Sequence, residues 1–173
     1  MDEFSTAVTA ANQLSIPRWL GSVRTNAPIE IHGFSDASQL AMAAVIYVRV
    51  LDDNGKFSAR LICSKTKIAP IKRLSIPRLE LTAILLLTRL LKRLCEHLIS
   101  SRGTGDLLDG LLCHSYMDYR SPSSLERFCP QPRFCNTRST ALNATWHYVP
   151  GKENLADCAL RDLIPENLTQ YDL

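Results

Sequence analysis

Four acidic residues stand where one predicted element ends and the next begins. They are Asp36, Glu80, Asp118 and Asp157. Carboxylates that are gathered in one place raise one another's pKa unless a cation compensates their charge. Oxygen ligands of this kind suit Mg²⁺ or Mn²⁺, and a pair of such ions about 4 Å apart can cleave a phosphodiester without a nucleophilic side chain. One interpretation of the four carboxylates is therefore a two-metal hydrolase site.

Each carboxylate also has an ordinary structural interpretation. An Asp that follows a strand, as Asp36 is expected to do, is often a turn former. A Glu in the first turn of a helix, the position predicted for Glu80, often only interacts favourably with the helix dipole. Asp118 is equally consistent with a turn cap, and Asp157 with a helix N-cap. Residue types and spacing alone leave the metal site the less common of the two interpretations.

The elements that must position these residues follow from hydrophobic periodicity. Residues 29–34, 41–51 and 57–64 predict an antiparallel meander, with Asn54-Gly55 as a tight turn. From Pro77 the apolar residues recur at helical spacing as far as residue 98. Two further strands are predicted at 111–117 and 144–150, and a short helix within 151–164. Because strand ends and helix starts gather at one edge of an α/β sheet, the four carboxylates are expected there.

Composition restricts the class of protein. The chain has 173 residues, 46% hydrophobic and 21% charged, which is typical of one globular domain. A net charge of +3 is compatible with a polyanionic partner but does not require one. No apolar run reaches the ~20 residues of a membrane span, and no signal peptide is apparent. We therefore expect an intracellular protein without membrane contact.

The cysteines form no C-x-x-C pair, so a zinc site is not predicted.

Three stretches of the chain resemble one family. They are "IHGFSDAS", "IPRLELTAILLLTRLL" and "WHYVPGKENLADCALR". In this order they are similar to the ribonuclease H-like segment of the polyprotein of Pao/BEL-type LTR retrotransposons, also catalogued as the Pao retrotransposon peptidase (A17) family. The resemblance covers about residues 15–118 and 142–165. It predicts a lead-in over residues 1–27, connecting from a reverse transcriptase, and a ribonuclease H-like domain over residues 28–173.

The resemblance implies a fold, a site and a substrate. The fold is a five-stranded mixed sheet, with three antiparallel strands followed by two parallel ones, and with flanking helices. Asp36 and Glu80 match the first two metal ligands, and Asp118 and Asp157 match the remaining acidic positions. The implied activity is cleavage of the RNA strand of an RNA–DNA hybrid with Mg²⁺ or Mn²⁺. The family's polyprotein also carries reverse transcriptase and integrase, so the chain is expected to be a fragment of an element.

The amino-acid sequence after Asp118 departs from the family pattern. Tyr119 replaces the usual Ser, and roughly ten residues are missing. Residues 119–140 are aperiodic and hold three prolines and two cysteines. We interpret this stretch as translated out of frame and flanked by a small deletion. The fold is then expected to be disrupted after the fourth strand, and nuclease activity to be weak or absent, although Asp36, Glu80 and Asp157 remain.

Two other functions stay open at this point. The chain is also consistent with a remnant that binds nucleic acid without cleaving it, or that has no function. The binding would use a basic connector, which comprises Lys65, Lys67, Lys72, Arg73 and Arg78. An aspartic peptidase is the less favoured alternative, because such enzymes need an Asp-Thr-Gly or Asp-Ser-Gly loop and the chain has neither.

The frame interpretation makes a prediction about the coding DNA. Codons that are permitted for Leu125 to Arg133 encode Trp-Lys-Asp-Phe-Val-Arg-Asn-Arg-Val when they are translated one base later. This peptide is close to the family's usual sequence at this place. We expect the gene to carry codons that give this peptide in the shifted frame. Sequencing the coding DNA checks it, and codons that give any unrelated peptide would refute the frameshift.

Overall fold

A five-stranded sheet and one long helix form the described part of the molecule. The computed structural model describes Thr9 and residues 29–51, 55–102, 112–117 and 144–161. The strands are β1 (Glu30–Ala37), β2 (Ala41–Leu51), β3 (Phe57–Ile68), β4 (Leu112–Met117) and β5 (Ala144–Tyr148), and the helix is α1 (Ile76–Arg102).

The strand order is β3-β2-β1-β4-β5. The first three strands are antiparallel neighbours, whereas β4 runs parallel to β1 and β5 runs parallel to β4. This arrangement confirms the mixed sheet that was predicted, with β1 at its centre. Strand β2 is buried at nearly every position, because both of its faces are covered.

Helix α1 covers one face of β1 and β2. Leu79 N–H donates to Ser75 O at 3.1 Å, so the helix starts after Ser75 and Pro77 lies in its first turn, where a missing N–H is harmless. Its buried stripe packs on the sheet in a cluster with β1 and β2. That cluster comprises Ile31, Ala44, Ile46, Leu87 and Leu91.

The second face of the sheet is covered by the end of the chain. Phe34 and Tyr47 meet edge to face with ring centroids 6.2 Å apart, and Ala156 and Leu160 pack against the same cluster. An extra residue in β3, between the partners of Ile46 and Tyr47, shifts the register. This bulge lets neighbouring apolar residues of β3 serve both faces.

Three boundaries differ from the sequence predictions. Strand β1 continues to Ala37, so Asp36 lies inside the strand and not after it, because Asp36 still pairs with Ala43. Helix α1 begins at Ile76, so Glu80 is its fifth residue and lies beyond the first turn. Strand β3 extends to Ile68 because its last residues pair with the start of β2.

The predicted final helix is also different. Residues 151–161 form two short 3₁₀ turns, Gly151–Glu153 and Asp157–Ala159, because their backbone bonds close over three residues. Asp118 and the interpretation of residues 119–140 lie outside the described residues, as does the lead-in apart from Thr9. No helix among the described residues has the length and hydropathy needed to cross a bilayer.

The contact between α1 and β1 depends on a glycine. A Cβ added at Gly33 would lie 2.9 Å from Leu87 Cδ1, closer than real Cβ contacts allow. Leu87 is completely buried, so it has little room to yield. The absence of a side chain at Gly33 therefore leaves room for the buried Leu87 side chain.

We predict that Gly33→Val destabilises the fold by about 1–3 kcal/mol, because overpacking displaces Leu87 and the helix. Urea denaturation of the full chain measures the loss. The matched control is Ala59→Val at an exposed position of β3, which we expect to change little. Combining Gly33→Val with Leu87→Val should recover part of the loss, and equal losses in Gly33→Val and the control would contradict the close contact.

Candidate active site

Asp36 is the penultimate residue of the central strand. Its Oδ1 accepts a hydrogen bond from Ala37 N–H at 2.8 Å, and its cross-strand partner is Ala43. Because side chains alternate along a strand, Asp36 shares the face of Phe34 and Ala43, away from α1.

The parallel strands end at one level of the sheet beside Asp36. Ser35 pairs with Met117 in β4, and Met117 pairs with Tyr148 in β5. The residue before Asp36 and the residue before Asp118 are thus direct neighbours. This alignment is the carboxyl-terminal edge at which α/β sheets place their sites.

Glu80 comes to the same level from α1. The helix runs antiparallel to β1, since Leu91 packs with Ile31 whereas Leu79 packs near Ala37. Glu80 lies seven residues before Leu87, which is about 10 Å of helix or about three strand residues. Gly33 faces Leu87. Three residues further along β1 from Gly33 is Asp36, so Glu80 and Asp36 lie at a similar height along the strand. Glu80 is partly buried there.

Asp157 lies on the other face of the sheet and has a cationic partner. Its 3₁₀ turn, Asp157–Ala159, approaches β1. Arg161 Nε donates to Asp157 Oδ2 at 2.7 Å, and Arg161 Nη2 donates to the same oxygen. The neighbouring Cys158 lies near Tyr47, where burial and then the charge of the thiolate raise the pKa of the tyrosine. The Asp157 carboxylate therefore forms an ion pair with a side chain four residues away.

Asn154 joins the last turns to the central strand. Its Nδ2 donates to Ser35 O at 3.0 Å, and its Oδ1 accepts from Ala156 N–H at 3.1 Å. The side chain is almost completely buried. Sequence reasoning missed this residue. The signal that could have found it is the Asx turn, in which an Asn side chain binds the backbone two residues on.

Ser35 contributes a buried hydroxyl next to Asp36. Among the buried side-chain polar atoms that the structure describes, Ser35 Oγ is the one without a hydrogen-bond partner. It lies on the α1 face of β1, by alternation with Gly33 and Ala37. An unpaired buried hydroxyl costs about 1–3 kcal/mol, and such atoms often mark places that water or an ion completes.

The residues fit a divalent cation in part. Asp36 and Glu80 carry carboxylate oxygens of the kind that a divalent cation prefers, with Asp36 on the face of β1 away from α1 and Glu80 on the helix. Within residues 29–51, 55–102, 112–117 and 144–161, no three His, Cys, Asp or Glu side chains group closely enough to hold a metal ion. Asp118, which the resemblance also implies as a ligand, lies outside those ranges.

The same end of the sheet is rich in positive charge. Five basic side chains, those of Lys65, Lys67, Lys72, Arg73 and Arg78, are exposed. None of the ion pairs found among the described residues involves them. The chain has no acidic residue between Phe57 and Glu80 that would neutralise this surface locally.

Comparison with known proteins assigns the family. A model described as the Pao retrotransposon-like RNaseH-like domain matches residues 1–103, which is more than half of the 173 residues. The chain belongs to this family, and the resemblance seen in its sequence is confirmed. Together with the strand order, this establishes a ribonuclease H-like fold.

Two solved structures of LC11-RNase H1, isolated from compost by a metagenomic approach, are also similar to the chain. The one in complex with RNA/DNA hybrid shares 16% identity with a TM-score of 0.43, over 81% of this chain and 99% of that chain. The other shares 15% identity with a TM-score of 0.43, over 82% and 98%. No curated protein matches the chain significantly. The fold assignment rests on the family match and the strand order.

The position of Asn154 leads to a prediction about stability. Asn154→Ala removes the partners of Ser35 O and Ala156 N–H in a buried place, so we expect a loss of about 1–3 kcal/mol. The control is Thr145→Ala, which breaks an exposed hydrogen bond to His147 and should cost less than about 0.5 kcal/mol. Urea denaturation compares them, and a loss at Asn154 no larger than the control's would show that the bridge is unimportant.

Proposed function

We propose that the chain is a retrotransposon-derived ribonuclease H-like domain that binds RNA–DNA hybrids at the edge where β1 and β4 end, and that its cleavage activity is weak or absent. The observation that carries the proposal is the alignment of the ends of β1 and β4 at the Ser35–Met117 pair, one residue before Asp36. Membership in a ribonuclease H-like family supports the choice of substrate.

The side chains at the edge suggest how a cation would be held. Asp36, Glu80 and Asp118 are the ligands we propose for Mg²⁺ or Mn²⁺, with Asp157 as the fourth acidic position. A divalent cation bound there would supply an activated water and stabilisation of the leaving oxygen. Asp36 and Glu80 would orient the site from β1 and α1, since each is fixed by a packed element.

Recognition of the hybrid would depend on backbone shape and charge. Proteins read A-form duplexes through the minor groove, the 2′-hydroxyl and the phosphates. The exposed cations around α1's start, among them Lys67 and Arg78, supply the charge that phosphates require. They lie at the same end of the sheet as Asp36, so one duplex could contact both.

Two features support weak or absent cleavage. The Asp157 carboxylate is paired with Arg161, and this ion pair competes with any metal ion at that position. The sequence after Asp118 departs from the family pattern, and a two-metal site tolerates displacements on the order of only half an ångström. The same features favour a second candidate, a hybrid-binding module without catalysis.

The test is an incubation of the full chain with labelled RNA–DNA hybrid and either Mg²⁺ or Mn²⁺. We expect hybrid binding with little or no release of short RNA. Asp36→Asn is the matched control, because it removes one charge while keeping the shape of the side chain. Rapid cleavage that disappears in Asp36→Asn would contradict the loss of activity and would establish the site as catalytic.

A further inference from the structure

Ser75 is the last residue before α1, and its side chain is exposed. Residues 69–75, which link β3 to α1, belong to no helix or strand. Leu74 packs against the core cluster that contains Leu79, and the Ser75 carbonyl oxygen accepts a hydrogen bond from Leu79 N–H at 3.1 Å. The backbone of Ser75 is therefore held in place while its side chain is open to solvent.

Two cations precede Ser75 at fixed positions in the sequence. Lys72 lies three residues before it and Arg73 two residues before it, and both side chains are exposed. No other Ser or Thr of the chain has Lys or Arg at both of these positions. Protein kinases select their substrates by such charge patterns, since carboxylates of the kinase cleft pair with cations placed before the acceptor hydroxyl. The spacing therefore favours Ser75 as the acceptor for a kinase that recognises basic substrates.

The residues around Ser75 are accessible to a large partner. Residues 70–73 are all exposed, and Ile76, which follows Ser75, is 36% exposed. Because residues 69–75 belong neither to the sheet nor to α1, a kinase can bind their side chains without separating the strands. The acceptor hydroxyl is therefore open to a kinase in the folded chain.

We infer that Ser75 is a phosphorylation site for a protein kinase that prefers basic substrates. In the reaction, Ser75 Oγ attacks the γ-phosphorus of ATP. The bond between Oγ and phosphorus forms, the bond between the γ-phosphorus and the bridging oxygen breaks, and ADP leaves. The hydroxyl proton passes to the catalytic base of the kinase. The inference rests on the sequence and the exposure around Ser75, and it does not depend on hybrid binding.

The surroundings of Ser75 suit a phosphate once it is attached. The phosphate adds a charge of about −1.5 to −2 at the positive end of α1. Lys72 and Arg73 before it, and Arg78 three residues after it, are exposed cations. No acidic residue lies between Phe57 and Glu80 in the sequence. The fold therefore accommodates the modified residue, and the modification cancels much of the positive charge of this surface.

A Ser in front of a helix often serves only as an N-cap, whose side-chain oxygen binds a backbone N–H of the first turn. That role needs no cation at either preceding position. The variant Arg73→Ala separates the two roles, because it removes the expected contact with the kinase and leaves the Ser75 hydroxyl unchanged.

The experiment incubates the folded full chain with the catalytic subunit of cAMP-dependent protein kinase and γ-labelled ATP, and mass spectrometry locates the phosphate. We expect a single phosphate, at Ser75. Ser75→Ala should abolish the labelling. Arg73→Ala should lower the initial rate about tenfold or more, because a charge pair with the kinase is lost.

The matched control is Ser64→Ala, at an exposed serine of β3. Leu61 and Ile62 stand at the two positions where Ser75 has cations, so this variant should be labelled like the parent chain. Urea denaturation of each variant and of the phosphorylated chain compares their stability. We expect no lower midpoint in Arg73→Ala or in the phosphorylated chain, so that a slower reaction reports recognition and not unfolding.

A synthetic peptide of residues 69–81 shows whether the fold conceals the acceptor. Labelling of Ser75 in the folded chain, with a clear loss of rate in Arg73→Ala, supports the inference. Labelling of the peptide but not of the folded chain overturns it, as does labelling at other residues alone or no labelling of either. Labelling of Ser75 that is insensitive to Arg73→Ala overturns the recognition by charge. All of these outcomes are independent of whether the chain binds or cleaves a hybrid.

Discussion

The contact between Leu87 and Gly33 fixes the geometry on which the candidate site depends. A Cβ at position 33 would lie 2.9 Å from Leu87 Cδ1, so any larger residue there would force the buried Leu87 side chain to shift. Once this contact is made, the pitch of the helix decides which residue stands over the end of β1. Seven residues earlier along α1, that residue is Glu80. The position of Glu80 along β1 is therefore a consequence of how the core packs.

The opposite face of the sheet is fixed by hydrogen bonds as well as by apolar packing. Asn154 takes its partners from Ser35 and Ala156, while Ala156 itself packs against Ala43. This bridge holds the last turns at the level of Ser35, one residue before Asp36. Helix α1 and the final turns thus reach the same strand end from two sides. The site that we propose lies at this end of β1.

Much of this architecture could be predicted from the sequence. The meander followed from alternating apolar residues and from Asn54-Gly55, and α1 followed from its long apolar stripe, since both patterns are local. The end of β1 was misjudged because small residues such as Ala37 carry little strand signal, although pairing with Met42 extends the strand. The 3₁₀ turns were predicted as a helix, because helical spacing over a few residues does not distinguish the two.

The site was less accessible to sequence reasoning than the fold. The ligand roles expected for Asp36 and Glu80 followed from a family resemblance, not from their spacing, since turn formers and dipole partners share the same pattern. The bridge made by Asn154 joins residues 119 positions apart, and no local pattern gives such a contact. Asp157 and Arg161 are four residues apart, which is a common spacing for ion pairs in helices. The sequence does not show that the turn carrying this ion pair lies beside β1.

The fold and the chemistry of this chain rest on different residues. The buried cluster around Ile46, Leu87 and Leu91 is apolar, and burial of such side chains supplies most of the stability of a domain. Asp36 and Glu80 lie at the rim and are only partly buried, so they contribute little to that core. A copy of the domain can therefore lose an aligned set of ligands without losing the packing that surrounds them. Conversely, the packing of α1 on β1 does not depend on which residues stand at the rim.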